Sequence, residues 1–276
     1  MTTYKYLPPE RIRVLSDGLI RFTPPSDLND PFECVPIISL EETRRVLDAY
    51  IEETEAGILD DIINEGLPRK ADWEAFQQRK KELLAKLEEN PSEIRDHFFQ
   101  EAERRINTTI GILSLSKRWD SSLMWAHYCA SHTGFCVGFD RTHPFFRGND
   151  PSTTLRDVIY AANRIQVPLE QGVSIDFNVM FTKSTNWAYE EEERLLGLLS
   201  AAKTVIDRPP FGVHLFEVPR EAIVEVIVGA KASRDLEASV SAFCSSRSIP
   251  AYRASPSSSS FDMIRTEYVM KAASPL

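Results

Sequence analysis

The stretch that decides the fold is IGILSLSKRWDSSLMWAHYCASHTGFCVGFD, residues 110–140. Its first seven residues are typical of a buried strand, and GFCVGFD at 134–140 predicts another strand. Between them SLMWAHYCAS predicts a helix over about Leu123–Ser131, with Asp120 or Ser121 as its N-cap. Strand, helix and strand in succession indicate a mixed structure for the middle of the chain.

Segments on both sides of this stretch continue the mixture. Two prolines at 8 and 9 predict the start of a short amphipathic helix that ends at the turn Asp17-Gly18. Residues 233–248 predict a later helix. Further strands are predicted at 4–7, 19–22, 155–161, 212–218, 223–229, 249–255 and 261–271. Because the order lacks a steady βαβ period, the sequence predicts an α+β fold with a mixed, mostly antiparallel sheet.

Residues 40–107 differ in composition from the rest of the chain and predict a helical insertion. They are rich in Glu, Lys, Arg and Leu at helical spacing, and Gly66, Pro68 and Pro91 divide them into three helices. Their charges are mixed, which favours a cap or packing layer on the core over a partner-binding role. The whole chain, 1–276, is predicted to form a single α+β domain.

Composition and charge limit the class of protein. The chain has 276 residues, of which 42% are hydrophobic and 26% charged, as in an ordinary globular protein. Its net charge of −9 and pI near 5.2 argue against broad binding of duplex nucleic acid, although a local basic groove stays open. The first residues lack a signal-peptide core, and no run of about 18 apolar residues occurs. We therefore expect a cytoplasmic protein without membrane contact.

The four cysteines do not indicate a disulfide framework or a common zinc motif, because no CxxC pair is present. His127, Cys129, His132 and Cys136 lie close together in the sequence. On one helix, however, His127 and Cys129 would lie about 200° apart and could not bind one ion together. Buried thiols are expected, and no metal site is predicted here.

The loop TPPSDLNDPFE, residues 23–33, is the first candidate for a functional site. It follows a strand, and its prolines and aspartates are incompatible with regular structure. It presents Asp27, Asn29, Asp30 and Glu33, and loops carry polar groups that cores exclude. The alternative is that these residues only stabilise turns beside the prolines.

The helix after Asp120 is the second candidate. Met124, Trp125 and Tyr128 form an apolar stripe, which is more typical of a core than of a cofactor site. His127 lies three residues from Met124, so we interpret it as a satisfied core histidine, with a catalytic role as the alternative.

The segment STNWAYEEEERLL, residues 184–196, is the third candidate and carries four consecutive glutamates. In a strand, Glu190 and Glu192 would share one face, whereas in a helix Arg194 would lie one turn after Glu190. The apolar residues that follow place the run at the mouth of a buried element. Desolvation there raises the pKa of a carboxylate, or the carboxylate pairs with Lys183 or Arg194. Catalytic carboxylates and a stabilising ion pair both remain open.

Together these motifs resemble a large bacterial family known as domain of unknown function 2971. The resemblance covers about residues 4–230 outside the helical insertion. The motifs are, in order, YKY, LIRFTPPSDLNDPFE, SLSKRWDSSLMWAHYCASHTGFCVGFD, VIY and FTKSTNWAYEEEERLL. The last of them falls on Lys183, Trp187, Tyr189, Glu190, Glu192 and Arg194. Their order and spacing make the resemblance specific.

A second and fainter resemblance is to the ADP-ribosyltransferase fold. In that family an early Arg or His, a middle Ser or Tyr and a late Glu hold NAD and polarise the nicotinamide ribose. The resemblance implies NAD as a substrate, and the corresponding candidates are Lys5 or Tyr6, then Thr23, then Glu190 or Glu192. A late carboxylate would stabilise the oxocarbenium character that develops as the nicotinamide–ribose bond breaks.

On this basis we expect an NAD-using ADP-ribosyltransferase or NAD glycohydrolase, with a toxin or phage-defence effector as a possible role. Glu190 and Glu192 are the predicted catalytic residues. The predicted nucleotide-binding residues are Lys5, Tyr6, Thr23, Asn29, Asp30, Trp125, His127, Lys183, Trp187 and Arg194. The sequence also leaves open a nucleic-acid or protein target.

Two other classes remain open. In a non-enzymatic binding module, the aromatic and acidic groups would be structural or would bind a peptide or nucleotide. In a metal-dependent nuclease, one or two Mg²⁺ ions with Lys183 nearby would be bound by Asp30, Glu33, Glu190 and Glu192.

Overall fold

The computed structural model describes residues 1–65, 70–148, 154–166, 169–170, 174–175 and 177–268. Within these ranges the helices are α1 (Arg13–Asp17), α2 (Leu40–Glu65), α3 (Lys70–Glu89), α4 (Pro91–Thr109), α5 (Ser122–Tyr128) and α6 (Arg234–Arg247). The strands are β1 (Thr2–Leu7), β2 (Leu19–Phe22), β3 (Ile110–Ser116), β4 (Phe135–Asp140), β5 (Arg156–Asp157), β6 (Ile159–Ala161), β7 (Leu169–Glu170), β8 (Ser174–Ile175), β9 (Thr182–Ser184), β10 (Glu192–Leu198), β11 (Thr204–Ile206), β12 (Val213–Glu217), β13 (Ile223–Val228), β14 (Ala251–Pro256) and β15 (Met263–Glu267). No helix in the described part of the chain is both long and apolar enough to cross a membrane.

The largest sheet forms the centre of the fold. Its strand order over the described residues is β15-β14-β13-β4-β1-β3-β10-β5. Neighbouring strands pair antiparallel, except that β13 and β14, which α6 connects, pair parallel. Smaller sheets join β11, β12 and β2, then β6 and β9, then β7 and β8. The predicted α+β class with a mixed, mostly antiparallel sheet is therefore confirmed.

Helices cover both faces of this sheet. Because side chains alternate along a strand, Cys136 and Val137 of β4 point to opposite faces and belong to different core clusters. The cluster around Val137 includes α6 through Leu236, Val240 and Cys244. The cluster around Cys136 includes α5 through Met124 and Trp125, and β1 through Tyr4 and Tyr6.

Strands β1 and β3 pair over a short length and then diverge, which leaves space beside the sheet. Tyr4 pairs with Ser116, the one ladder pair described between the two strands, whereas β1 pairs with β4 along its whole length. Beyond that pair, the side chain of Lys5 donates a hydrogen bond to the carbonyl of Ser114 at 2.7 Å. A charged side chain thus spans the gap in which backbone pairing has ended.

The helices α2, α3 and α4 lie between β2 and β3, as predicted for an insertion at 40–107. They pack through a cluster that includes Leu47, Ile51, Leu87 and Ile94. Pro91 begins α4, where a missing N–H is tolerated. The predicted break at Gly66 and Pro68 lies outside the described residues. That the whole chain forms a single domain stays a prediction.

The helix predicted over Leu123–Ser131 is shorter than expected. Ser121 caps it, as one of the two candidates, and its hydroxyl accepts a hydrogen bond from the backbone N–H of Met124 at 3.4 Å. The helix ends at Tyr128, because Ala130, Ser131 and His132 have φ values of 46°, 55° and 71°. Left-handed backbone cannot continue a right-handed helix.

The predicted strand at 155–161 is also divided. Arg156–Asp157 pairs with β10, whereas Ile159–Ala161 pairs with β9 in another sheet. The terminal pair β14 and β15 is confirmed, although the end of the predicted second strand, from residue 269, lies outside the described residues.

Candidate functional site

A cavity of about 290 Å³ is bordered by β1 and β3 where the two strands part. The loop after β2, helix α5 and the segment between β9 and β10 complete its wall. Distant parts of the sequence therefore meet around one space. The cavity is lined by Tyr4, Lys5, Tyr6, Arg21, Thr23, Asp27, Leu28, Asn29, Glu33, Ser114, Leu115, Ser116, Met124, Tyr128, Lys183, Glu190 and Glu192.

The acidic run is neither one strand nor one helix. Thr185–Glu190 forms a 3₁₀ turn, Glu191 adopts left-handed backbone with φ 43°, and β10 begins at Glu192. Neither the strand nor the helix considered from the sequence extends over the whole run, so both predictions are wrong for the run as a unit. Because β10 alternates, Glu192 lies on one face of the sheet, and Glu193 lies on the other, where it pairs with Arg141.

Lys183 occupies the centre of a buried acidic cluster. Its Nζ lies 2.6 Å from Glu190 Oε2, 3.1 Å from Glu192 Oε2 and 3.4 Å from Glu33 Oε1. Each of these four residues is at most 5% exposed. Burial lowers the pKa of Lys183, but Glu192 and Glu190 outweigh it and raise that pKa above its ordinary value. The ammonium is therefore charged across the physiological pH range.

Arg194 lies behind the cluster and has no exposed surface. Its Nε donates to Glu192 Oε1 at 2.8 Å, and its Nη1 donates to the carbonyl of Met180 at 2.6 Å. Its Nη2 also forms an ion pair with Glu33, which fixes the loop after β2 against β10. Burial raises the pKa of Glu192, and Lys183 opposes that rise. Two buried cations thus lie among three buried carboxylates.

Glu190 is held from three elements. The hydroxyl of Tyr128 on α5 donates to Glu190 Oε1 at 2.6 Å, while Lys183 donates to Oε2. Asn29 in turn donates to the Tyr128 hydroxyl at 3.1 Å. Burial and the neighbouring Glu190 raise the pKa of Tyr128, so the phenol remains a hydrogen-bond donor. The Glu190 backbone carbonyl accepts a further bond, at 2.5 Å, from the hydroxyl of Ser116.

Lys5 is in a different electrostatic position from Lys183. Over the part of the chain that the structure describes, it has no ion-pair partner, and its Nζ bonds the carbonyl of Ser114. Burial lowers the pKa of Lys5 to about 8, with a contribution from Arg21 in the same direction and opposition from Glu192. Of the two lysines that border the cavity, Lys5 therefore has the lowered pKa and Lys183 the raised one.

The structure brings together seven of the twelve predicted site residues. Those that border the cavity are Lys5, Tyr6, Thr23, Asn29, Lys183, Glu190 and Glu192. Arg194 does not border the cavity but contacts two residues that do, Glu192 and Glu33. Trp125 lies in the core with no exposed surface, and its indole N–H donates to the carbonyl of Trp119 at 2.7 Å. Asp30 accepts from the backbone N–H of Phe32, as expected for the turn interpretation of that loop.

His127 and Trp187 also lie outside the cavity wall. His127 is exposed, so its interpretation as a buried core histidine is wrong. Its ring lies 6.3 Å from that of Tyr189 and 6.4 Å from that of Trp187. The Lys183 ammonium lies 4.9 Å from the centre of the Trp187 ring, within range of a cation–π contact.

Sequence reasoning missed Arg21, and it gave Tyr128 only a core role. Arg21 borders the cavity and pairs with Asp27. The alternation of LIRF places this arginine on the polar face of β2, and that signal could have identified it. Tyr128 shares the apolar stripe of α5, so its polar end was not distinguishable from a core tyrosine.

A metal centre is not evident in the arrangement of side chains. Among the described residues, no group of three His, Cys, Asp or Glu side chains is placed to hold a metal ion. The carboxylates of Glu33, Glu190 and Glu192 instead surround the Lys183 ammonium. The four cysteines are free, and Cys129, Cys136 and Cys244 are buried, as expected for structural thiols.

Comparison with known families identifies a segment that contributes five of the seventeen residues lining the cavity. Residues 124–195 match the model of a protein family of unknown function, DUF2971. The resemblance to that family is confirmed. The matched segment contains Tyr128, Lys183, Glu190 and Glu192, whereas Lys5 and the loop after β2 lie outside it. Searches of curated proteins and of solved structures gave no match, so the similarity to the ADP-ribosyltransferase fold stays a prediction.

Proposed function

We propose that this cavity is the active site of an enzyme that cleaves the nicotinamide–ribose bond of NAD, as an ADP-ribosyltransferase or NAD glycohydrolase. The observation that carries the proposal is the fixed carboxylate of Glu190 in the cavity wall. Tyr128 and Lys183 each donate to a different oxygen of this carboxylate, both at 2.6 Å. Negative charge is thereby held in one place before any substrate arrives.

Cleavage of a glycosidic bond builds positive charge on the ribose in the transition state. A carboxylate that needs no reorganisation stabilises this charge most effectively. We assign that role to Glu190. Each oxygen of Glu190 accepts from one side-chain donor, whereas Arg194 donates to both oxygens of Glu192 and Lys183 adds a second donor at Oε2. We therefore assign Glu192 to positioning: it holds Lys183, which in turn holds Glu190.

The size and charge of the cavity support a nucleotide substrate. At about 290 Å³ the cavity is at the lower end of ligand sites, which span roughly 300–1,000 Å³. We assign it to the nicotinamide riboside half of NAD, with the phosphates and the adenosine half directed outwards. Lys5 and Arg21 supply positive charge for the phosphates, and Tyr6 and Tyr128 supply aromatic surface for the ring.

The decisive experiment is release of nicotinamide by the purified full-length chain. Glu190→Gln keeps the size and polarity of the side chain but removes its charge, so we expect release to fall about 10²-fold or more. Glu101→Gln on exposed α4 is the matched control and should leave release unchanged. Equal release by Glu190→Gln and the wild type would refute the assignment.

Binding of NAD is measured separately, so that a binding module is distinguished from an enzyme. NAD at a hundred times its dissociation constant should raise the free energy of unfolding by about 2.7 kcal/mol. Such stabilisation without nicotinamide release in the wild type would favour the non-enzymatic alternative. Release that a strong chelator abolishes would instead favour metal-dependent chemistry.

A further inference from the structure

The two lysines that border the cavity differ in every property that controls amine reactivity. Lys183 is paired with three carboxylates. Lys5, on β1, is half-buried and has no ion-pair partner among the described residues. Its single hydrogen bond, to Ser114, leaves the amine free on its other sides. An amine that is desolvated and unpaired loses its proton more easily than an ordinary lysine.

The charged neighbours of Lys5 act in both directions: Glu192 and Glu190 favour its charge, whereas Arg21 and Lys183 disfavour it. Arg21, a second cation, borders the same cavity and disfavours charge on Lys5. A lysine that is desolvated or adjacent to another cation is the usual form of an amine nucleophile that attacks carbonyl carbon. The charged groups that act on Lys5 are, in descending order of influence, Glu192, Arg21, Glu190 and Lys183.

We propose that the Lys5 amine captures small carbonyl compounds, aldehydes in particular, as a covalent imine inside the cavity. The nitrogen lone pair of neutral Lys5 attacks the carbonyl carbon, and the carbon–oxygen double bond becomes the single bond of a carbinolamine. The carbinolamine then loses its oxygen as water, which takes up both amine protons, and a carbon–nitrogen double bond remains. No oxidant or reductant takes part, and the reaction is reversible.

This activity is independent of NAD cleavage, because it needs only the amine and the cavity. Lys5 lies outside the segment matched by the family model.

The test uses glycolaldehyde as the probe, with cyanoborohydride to reduce the imine to a stable secondary amine, on the full-length chain at pH 7. Mass mapping of peptides gives the labelling rate of each lysine. We expect Lys5 to be labelled about tenfold faster than exposed Lys203, because a pKa near 8 leaves far more neutral amine than an ordinary lysine has. Lys183, in the same cavity, should remain unlabelled. Labelling of Lys5 no faster than of Lys203 would overturn the proposal.

Two variants separate reactivity from mere access. Lys5→Arg should lose the fast label while Lys203 is labelled as before. Arg21→Gln removes the neighbouring cation, so the pH at which labelling of Lys5 reaches half its maximum should move upwards from about 8. An unchanged pH profile in Arg21→Gln would refute the electrostatic basis of the proposal. Because the assay contains no NAD, its result does not depend on the proposed enzyme activity.

Discussion

The helical insertion and the cavity wall both contain ion pairs between a basic side chain and a glutamate, and the contact distances in these pairs are nearly the same. On α4, Arg104 lies 2.7 Å from Glu101, and these side chains are 64% and 34% exposed. In the cavity wall, Lys183 lies 2.6 Å from Glu190, and both side chains are 3% exposed. Contact distance therefore does not distinguish the two regions. Their exposure to water does.

This difference determines how each region responds when a charge is removed. Water screens the pairs on α4, so loss of one partner leaves the other well solvated. In the wall, Lys183 and Arg194 share the carboxylates Glu33 and Glu192, so loss of one cation leaves buried charge without compensation. Glu190 and Glu192 are therefore informative because they are buried, not because they are acidic.

The largest expected effect is that of Arg194→Met. It removes the guanidinium that contacts Glu33 and Glu192, and we expect the free energy of unfolding to fall by about 3–5 kcal/mol. Urea unfolding at neutral pH measures the change. A loss below about 1 kcal/mol would mean that the wall behaves like an exposed pair.

Tyr128→Phe should have the next largest effect. It removes the donor to Glu190 but keeps the ring, so we expect a loss of about 1.5–3 kcal/mol in stability, as for a hydrogen bond to a charged group. Release of nicotinamide should also fall, since Glu190 is no longer held at Oε1. Tyr50→Phe on the exposed side of α2 is the matched control for removal of a hydroxyl. Equal effects of the two changes would contradict the role given to Tyr128.

The lowered pKa of Lys5 predicts that the free energy of unfolding depends on pH. Its pKa is about 8 in the folded chain and 10.5 as an ordinary lysine, so between these values the unfolded chain binds more protons. The free energy of unfolding should therefore rise with pH in this window, relative to Lys5→Met, by at most about 1.4 kcal/mol per pH unit. Urea unfolding from pH 7 to pH 10.5 tests this slope. For the control Lys203→Met, at an exposed ion pair, the plot of unfolding free energy against pH should run parallel to that of the wild type. A parallel plot for Lys5→Met would refute the lowered pKa of Lys5.

The smallest effect is expected for Arg104→Met. Its partner Glu101 is solvated, so we expect an unfolding curve close to that of the wild type, with any difference smaller still at high salt. Urea unfolding of this variant and of Arg194→Met under one condition makes the comparison direct. A loss as large as that of Arg194→Met would show that exposure does not separate the two regions.

Local patterns predicted much of the fold. Alternation and apolar runs identified β3 and β4, and composition with proline breaks identified α2, α3 and α4. The parting of β1 from β3 was not predictable, because it depends on which strands become neighbours. Nor does any local rule place left-handed backbone at Glu191, a residue type that rarely adopts it.

The candidate site was predictable in its residues but not in its contacts. Glu190, Glu192 and Lys183 were recognised from one short segment, and they do border the cavity. The partner of Arg194 was expected within the acidic run, and Glu192 fulfils that expectation. The second partner, Glu33, lies far away in sequence, so only the folded chain could reveal it.

Because the backbone changes conformation within the four glutamates, the number of residues in the run determines which face of the sheet the later side chains occupy. Arg194 stands opposite Ser114 in the ladder, one position beyond Glu193 and Leu115. Deletion of a single glutamate would leave the segment nearly as acidic, yet it would shift every later side chain to the other face. The guanidinium would then point away from Glu33. In related chains, conserved spacing between the counterparts of Lys183 and Arg194 should therefore mark the shared site better than the number of glutamates between them.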